Sequence, residues 1–186
     1  CQAEYHDDPQ ENEKIHARPL IEKLQAGCLV VMDLGYFSFA FFDWMTEHFT
    51  YFISRMRKGT SYVELTTFVE TPVVRDRLIY LGKYRADMAA YPVRLVELYV
   101  NGEWWRYITN VLDPVMLPAH HLFALYDQRW SIERLFSVLK EVLGLSRLRL
   151  CHLQGVRWQV WGTLLAYQIV QTVRCELADK LKVQQW

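Results

Sequence analysis

Four side chains able to bind ions or protons recur at helical spacing: Tyr126, Arg129, Glu133 and Lys140. At about 100° per residue they fall at roughly 0°, 300°, 340° and 320° around a helix, so all four point to one side. The neighbouring apolar residues centre on about 200°, which sets this row between the core and the solvent. Such a row suits the wall of a groove. A surface ladder of ion pairs would show the same spacing, because Arg129 and Glu133 lie four residues apart.

A further candidate carboxylate, Asp33, follows the continuous apolar run 28–32. Such a run is typical of a strand buried on both faces, so the Asp33 carboxylate is predicted at the carboxyl end of that strand. A helix over 37–49 and a second core strand over 51–56 come next. This strand, helix, strand unit predicts an α/β fold whose sheet is partly parallel.

The other elements are predicted from periodicity and turn residues. Short β-rich runs fill 61–111, and Asn101-Gly102 is a strong signal for a tight hairpin between two of them. Further helices are predicted over 15–25, 120–142 and 153–177. The long helix over 120–142 is the element that carries the row of four side chains.

Composition and charge are those of a folded globular domain. The 186 residues are 52% hydrophobic and 23% charged, which excludes disorder and coiled coil. Net charge is zero, but residues 129–157 hold six basic side chains against two acidic ones. Positive charge is therefore concentrated around the row. The uncharged stretch 158–173 is too short and too polar for a bilayer span, and four cysteines without a CxxC pair favour a reducing compartment.

The spacing Tyr-x2-Arg-x3-Glu-x6-Lys resembles the signature of the DDE transposases of the fourth insertion-sequence family. Asp33, in the run Val-Val-Met-Asp-Leu-Gly-Tyr, resembles that family's second catalytic aspartate at a strand end. Glu133 resembles its catalytic glutamate. The Leu-Asp-Pro before the long helix and the Arg-Leu-Arg after it are also similar, so the resemblance covers the chain from about 15 to 177.

The resemblance implies a fold and a division of the chain. The fold is an RNase H-like core, incomplete because its first strands are missing, with a β-rich insertion before the glutamate-bearing helix. Residues 1–60 would be the partial core with the second catalytic aspartate, 61–112 the insertion, and 113–186 the C-terminal helices of the core.

The resemblance also implies metal-dependent cleavage and strand transfer of insertion-sequence DNA ends. Asp33 and Glu133 would be two of three carboxylates that hold two Mg²⁺ or Mn²⁺ ions. Because such ions lie roughly 3.5–4 Å apart, we expect the two carboxylates within about 10 Å of each other. Tyr126, Arg129 and Lys140 would contact the DNA end, the two cations by binding phosphates.

Trp104 and Trp105 follow the hairpin turn and are expected to face opposite sides of the sheet. In the family an insertion-domain tryptophan can stack on a base flipped out near the transposon end, so the resemblance makes both residues candidates for DNA binding. Packing of both rings against the protein is the alternative.

The partners that the resemblance implies are DNA, as transposon ends and as target, and a second copy of the protein in a paired-end complex. No membrane contact is expected. The expected location is the bacterial cytoplasm, in association with the nucleoid.

The family's first catalytic aspartate has no clear counterpart in this sequence. Only 32 residues precede Asp33, too few for the strands that separate the two aspartates, which argues against Asp7 or Asp8 in that position. We therefore expect the C-terminal part of a transposase that is inactive by itself. The alternatives are a decayed remnant that only binds DNA, and a non-enzymatic interaction domain on which the charged row is merely surface.

Overall fold

The structure is a computed structural model that describes residues 13–82, 88–147, 149 and 152–181. Asp7 and Asp8 lie outside these residues. The chain divides into two compact units, Cys1–Arg129 and Trp130–Trp186. Among the described residues, all the strands belong to the first unit, and the second unit is helical.

A six-stranded sheet forms the centre of the first unit. In chain order its strands are β1 (Leu29–Met32), β2 (Tyr51–Arg55), β3 (Tyr62–Glu70), β4 (Val74–Leu81), β5 (Val93–Val100) and β6 (Glu103–Thr109). Across the sheet the order is β1-β2-β6-β5-β4-β3, with β1 and β2 parallel and the other neighbours antiparallel. The predicted α/β class and partly parallel sheet are confirmed, and the β-rich segment supplies four strands of this one sheet.

Helices cover both faces of the sheet. They are α1 (Glu13–Ile21), α2 (Phe39–Glu47) and α3 (Ala119–Asp127). Adjacent residues of a strand point to opposite faces, so Phe52 joins the core under α1 and α2, whereas Ile53 joins the core under α3. The apolar composition of β2 follows from this, because both of its faces are covered.

The predicted hairpin is confirmed, with β5 and β6 paired around Asn101-Gly102. Both turn residues have positive φ, 51° at Asn101 and 87° at Gly102. A two-residue turn of this kind matches the twist of the flanking strands, and Asn and Gly tolerate the left-handed backbone that it needs.

Two polar side chains connect distant segments of the first unit. Asn110 accepts a hydrogen bond from the Phe52 N–H at 2.9 Å and donates one to the Thr50 carbonyl at 2.9 Å. Asp43 accepts hydrogen bonds from the backbone N–H groups of Ala90 and Tyr91 at 3.0 and 3.1 Å. These bonds hold the segment before β5 against α2.

Two predicted elements differ at their ends or in their environment. The helix predicted over 15–25 ends at Ile21, which is the last buried residue before an exposed stretch that offers no packing to support another turn. β1 was predicted to be buried on both faces but lies at an edge of the sheet, and Leu29 is 37% exposed. Its two faces still pack on the two cores through the half-buried Val30 and Val31, and Met32 is buried, so the apolar run reflects packing although β1 has a strand on one side only.

The single helix predicted over 120–142 is wrong. Helix α3 ends at Asp127, a turn at Gln128 and Arg129 follows, and the chain resumes as α4 (Trp130–Ser137) and a π-helix (Val138–Val142). Neither turn residue is Gly or Pro, so local propensity gives no sign of the break. The carboxyl end of α3 packs on the sheet, and these contacts outweigh the local helix propensity of Gln128 and Arg129. The uniform angles calculated for the four-residue row do not apply across this turn.

The second unit consists of α4, the π-helix and α5 (Leu153–Leu181), which is four residues longer than predicted. Leu139 is buried within it. The side chain of Gln159 on α5 donates to the Arg147 carbonyl at 2.9 Å and accepts from the Arg149 N–H at 3.0 Å, so it holds the basic segment that precedes α5.

None of the helices in the described part of the chain has the length and apolar character that crossing a membrane requires.

Candidate functional site

Asp33 lies where the sequence predicts, immediately after β1. Its Oδ1 accepts a hydrogen bond from the Leu34 N–H at 2.7 Å and so caps the short 3₁₀ turn Leu34–Tyr36. The side chain is 57% exposed. Strand β1 is parallel to β2, so the carboxyl ends of both strands lie at the same border of the sheet. At the site, "edge" means this border and not the outer side of the sheet that β1 forms.

Helix α3 brings Tyr126 to the same edge. The helix packs on the sheet through Leu122, which is fully buried, and through Tyr126, which is 5% exposed. The Tyr126 ring lies against the ring of Tyr107 on β6, with 4.9 Å between centroids. This aromatic contact fixes the carboxyl end of α3 on the sheet.

Arg129 connects Tyr126 with Asp33 in space. Its Nη1 lies 3.8 Å from Asp33 Oδ2, and its guanidinium carbon lies 5.8 Å from the centre of the Tyr126 ring. The first unit therefore brings together three of the predicted site residues, although nearly a hundred positions separate Asp33 from the other two. An ion pair this long and this exposed adds little to stability, so its significance is the placement of a cation beside a carboxylate.

The two tyrosines remain protonated across the neutral range. Burial raises the pKa of Tyr126, an effect that the positive charge of Arg129 partly offsets. Burial raises the pKa of Tyr107 to about 12. Each phenol is therefore a hydrogen-bond donor rather than an anion beside this edge of the sheet.

Sequence reasoning missed a second cation at this edge, Arg55. Met32 pairs with Ser54, so Arg55 occupies the register position beside Asp33. Its guanidinium carbon lies 4.5 Å from the centre of the Trp105 ring, and its charge offsets part of the rise that burial causes in the pKa of Tyr107 and of Tyr126. The signal in the sequence was an arginine at the end of a strand predicted to run parallel to the Asp33 strand.

Trp104 and Trp105 face opposite sides of the sheet, as predicted. Trp105 packs against the core under α3, beneath Arg55. Trp104 lies on the other face, 5.3 Å from the exposed ring of Tyr99, and the guanidinium of Arg75 lies 4.3 Å from its centre. Both indoles are partly exposed.

Glu133 and Lys140 belong to the second unit. Glu133 lies in the first turn of α4 and Lys140 in the π-helix, and both side chains are exposed. π-Helical turns often occur at functional positions because they change the direction in which a side chain leaves the helix. The predicted approach of Glu133 to Asp33 stays a prediction, since the two residues lie in different units.

The type and exposure of Asp33 fit one ligand of a hard divalent cation. Carboxylate oxygens are the ligands that Mg²⁺ and Mn²⁺ prefer, and Oδ2 of Asp33 faces Arg129 across 3.8 Å rather than at hydrogen-bonding distance. Among the described residues no cluster of three or more His, Cys, Asp or Glu side chains could enclose a metal ion. The arrangement at this edge is one carboxylate flanked by arginines.

The family model for the transposase DDE domain matches residues 3–169 of the chain. The chain belongs to this DDE transposase family. It is also 29% identical, over 178 residues, to the transposase InsG for insertion sequence element IS4 from Escherichia coli strain K12. The match covers 89% of this chain and 39% of that relative, so this chain spans well under half of the relative's length.

The resemblance inferred from the four-residue signature is thus confirmed for the family. The mixed α/β architecture with its six-stranded sheet agrees with a DDE transposase nuclease fold.

Proposed function

We propose that this chain is the part of a DNA transposase that carries the second catalytic aspartate, Asp33, and the catalytic glutamate, Glu133. Its parent would cleave insertion-sequence ends and join them to target DNA. The observation that carries the proposal is the meeting of Asp33, Tyr126 and Arg129 at one sheet edge. A surface ion-pair ladder gives no reason for these three residues to converge from distant parts of the chain.

Within this proposal Asp33 and Glu133 would hold two Mg²⁺ or Mn²⁺ ions together with a third carboxylate. The ions would supply activation of the attacking oxygen and stabilisation of the leaving oxygen at phosphorus. The protein's own contribution is positioning. Asp33 is fixed by its bond to the Leu34 N–H, and the helix that bears Glu133 begins directly after Arg129.

The cations of the first unit would bind the DNA backbone beside that centre. Arg129 and Arg55 both flank Asp33, and a guanidinium binds a phosphate through two parallel N–H groups. The hydroxyl of Tyr126 is buried, so Tyr126 would contribute by supporting the neighbouring Arg129. Lys140 would add a point charge from the second unit.

The two tryptophans differ in their suitability for stacking on a base. Trp105 packs on the core, and the guanidinium of Arg55 lies over its ring. Trp104 lies on the other face of the sheet, next to Tyr99 and Arg75. Both rings have an arginine beside them, but Trp104 belongs to neither core cluster, so its ring is better suited to stack on a flipped or single-stranded base. We assign such a contact to Trp104 and a supporting role to Trp105.

The parent would have an RNase H-like core, with residues 1–60 and 113–186 in the core and 61–112 as its β-rich insertion. Two copies of the parent would act together on paired ends, in association with the bacterial nucleoid. The chain's own two candidate carboxylates favour DNA binding without cleavage over full activity, because the proposed centre needs three.

Alanine at Arg129 or at Lys140 is expected to weaken binding to duplex DNA of any sequence. Each phosphate contact releases condensed counterions, so losing one contact should reduce the slope of log K against log salt by about 0.9. Little change in melting temperature is expected for Lys140→Ala, whose side chain is exposed, whereas the Arg129 side chain is only 15% exposed and its loss is expected to lower stability somewhat. Titrations of labelled DNA at several salt concentrations measure the slope.

Lys180→Ala serves as the matched control, since Lys180 is an exposed cation in the last turn of α5, outside the proposed site. We expect it to leave the salt slope unchanged. Equal slopes for Arg129→Ala, Lys140→Ala and the unaltered chain would mean that the charged row is only surface, and the proposed function would be wrong.

A further inference from the structure

We infer that the buried pair Asp76–Arg94 positions the DNA-binding end of α3. In this assignment Arg94 fixes the chain where it enters α3, and α3 then sets where Tyr126 and Arg129 lie. The inference rests on the proposed function, because it concerns the placement of a phosphate-binding arginine. Both members of the pair act through α3 and are positioning residues.

The guanidinium of Arg94 is held in one orientation. Its Nε donates to Asp76 Oδ1 at 2.7 Å and its Nη2 to Asp76 Oδ2 at 2.5 Å. Arg94 is 0% exposed and Asp76 is 2% exposed. Because two parallel bonds fix the plane of the group, the direction of its remaining N–H groups is fixed as well.

The third bond of Arg94 reaches the loop before α3. Nη1 donates to the Leu117 carbonyl at 2.6 Å. The next residue, Pro118, is the N-cap of α3 and makes no side-chain capping bond. Arg94 thus links the sheet to the start of α3. No side-chain capping bond at Pro118 provides such a link.

From this anchor the helix transmits position to the site. Helix α3 has nine residues, so its far end lies about 13 Å from its start at 1.5 Å per residue. Leu122 and Tyr126, both on α3, pack onto the sheet. Arg129 lies in the turn that directly follows α3. A small shift at Leu117 would therefore displace the guanidinium that faces Asp33.

A purely stabilising role gives a poorer explanation of this pair. The cost of removing two charges from water offsets much of their attraction, and apolar pairs of similar volume are often as stable or more so. An apolar pair, however, offers no directed bond to the Leu117 carbonyl. The directed bond is what a positioning role requires.

The test is a double-mutant cycle between Arg94→Lys and Arg129→Ala, read as the affinity of the full chain for mixed-sequence duplex DNA at one low salt concentration. Lysine keeps the charge beside Asp76 but has no planar fork with which to hold both Asp76 and Leu117. We expect each single change to weaken binding about tenfold, the scale of one charge-assisted contact, and the double variant to be no weaker than either.

The outcomes separate the inference from the proposed function. If Arg129→Ala weakens binding and the two effects multiply to about a hundredfold, Arg94 does not act through Arg129 and the inference is overturned, while the proposed function stands. If Arg129→Ala has no effect by itself, the proposed function is wrong, and the inference, which rests on it, is wrong as well.

A second variant covers the case in which Arg94→Lys does not fold. Asp76→Leu with Arg94→Met replaces the pair by apolar groups and should stay folded, as judged by circular dichroism. We expect the same loss of DNA affinity and the same insensitivity to Arg129→Ala. Full affinity in this folded variant would overturn the inference.

Glu97→Gln is the matched control. Glu97 is 1% exposed and pairs with Arg77 and Arg106 on β4 and β6, on the sheet face away from α3. We expect Arg129→Ala to keep its tenfold effect in the Glu97→Gln background. Loss of that effect would show general loosening of the sheet rather than positioning by Arg94, and would contradict the inference.

Discussion

Replacing Asp76 by alanine is expected to lower the free energy of unfolding by about 3–5 kcal/mol, because it leaves the guanidinium of Arg94 buried without its counter-charge. Both side chains are almost completely buried, so water does not compensate for the lost bonds. Urea denaturation followed by tryptophan fluorescence measures the change.

Glu70→Ala provides the comparison for this loss. Glu70 also pairs with arginines, Arg75 and Arg77, at 3.4 Å, but its side chain is 55% exposed. Exposed pairs contribute about 0–1 kcal/mol, so we expect a small effect there. Similar small losses for both variants would contradict the burial and bidentate geometry of the Asp76–Arg94 pair.

The purified chain is expected to show no Mg²⁺- or Mn²⁺-dependent cleavage of DNA. The proposed two-metal centre requires three carboxylates, and Asp33 and Glu133 supply two. Mg²⁺ keeps its waters unless several ligands and phosphates surround it, so two carboxylates should hold it weakly. Incubation with supercoiled DNA and either metal, followed by electrophoresis, measures nicking.

Glu133→Gln distinguishes the chain's own activity from a contaminating nuclease. Cleavage that persists in this variant would have another source. Cleavage by the unaltered chain that Glu133→Gln abolishes would show that a third carboxylate within the 186 residues completes the centre. In that case the prediction of inactivity would be wrong.

The sequence predicted those elements that local pattern determines. Apolar runs predicted β1 and β2. The Asn101-Gly102 pair predicted the β5–β6 hairpin, because few other residues adopt the positive φ angles that its turn requires. The Tyr-x2-Arg-x3-Glu-x6-Lys signature and the Asp33 strand end resemble those of the family, and the family model confirms the resemblance. These features are encoded over a few residues, so no knowledge of distant contacts is needed.

Features that depend on distant contacts were not predictable. The helix break after Asp127 lacks a Gly or Pro, and it lies where Tyr126 meets Tyr107 and Arg129 faces Asp33. Likewise, Arg94 reads in sequence as an ordinary charged residue of a strand. Its burial becomes evident only once β4, β5 and the loop before α3 are brought together.

The edge position of β1 has the same explanation. A continuous apolar run indicates a strand with apolar neighbours, but it does not specify which strands lie beside it. Among the described residues β1 pairs with β2 and is the last strand on its side of the sheet.

Crosslinking of Asp33→Cys to Glu133→Cys tests most directly whether the two carboxylates form one metal centre. All four native cysteines are first replaced by serine, and a short thiol crosslinker is added to the chain. Carboxylates that share two metals lie within about 10 Å, so we expect efficient crosslinking within one chain. Asp33→Cys with Arg134→Cys is the control, because the next residue of a helix points about 100° away. Failure of the first pair to crosslink, or equal yields from both pairs, would show that Asp33 and Glu133 do not share a site.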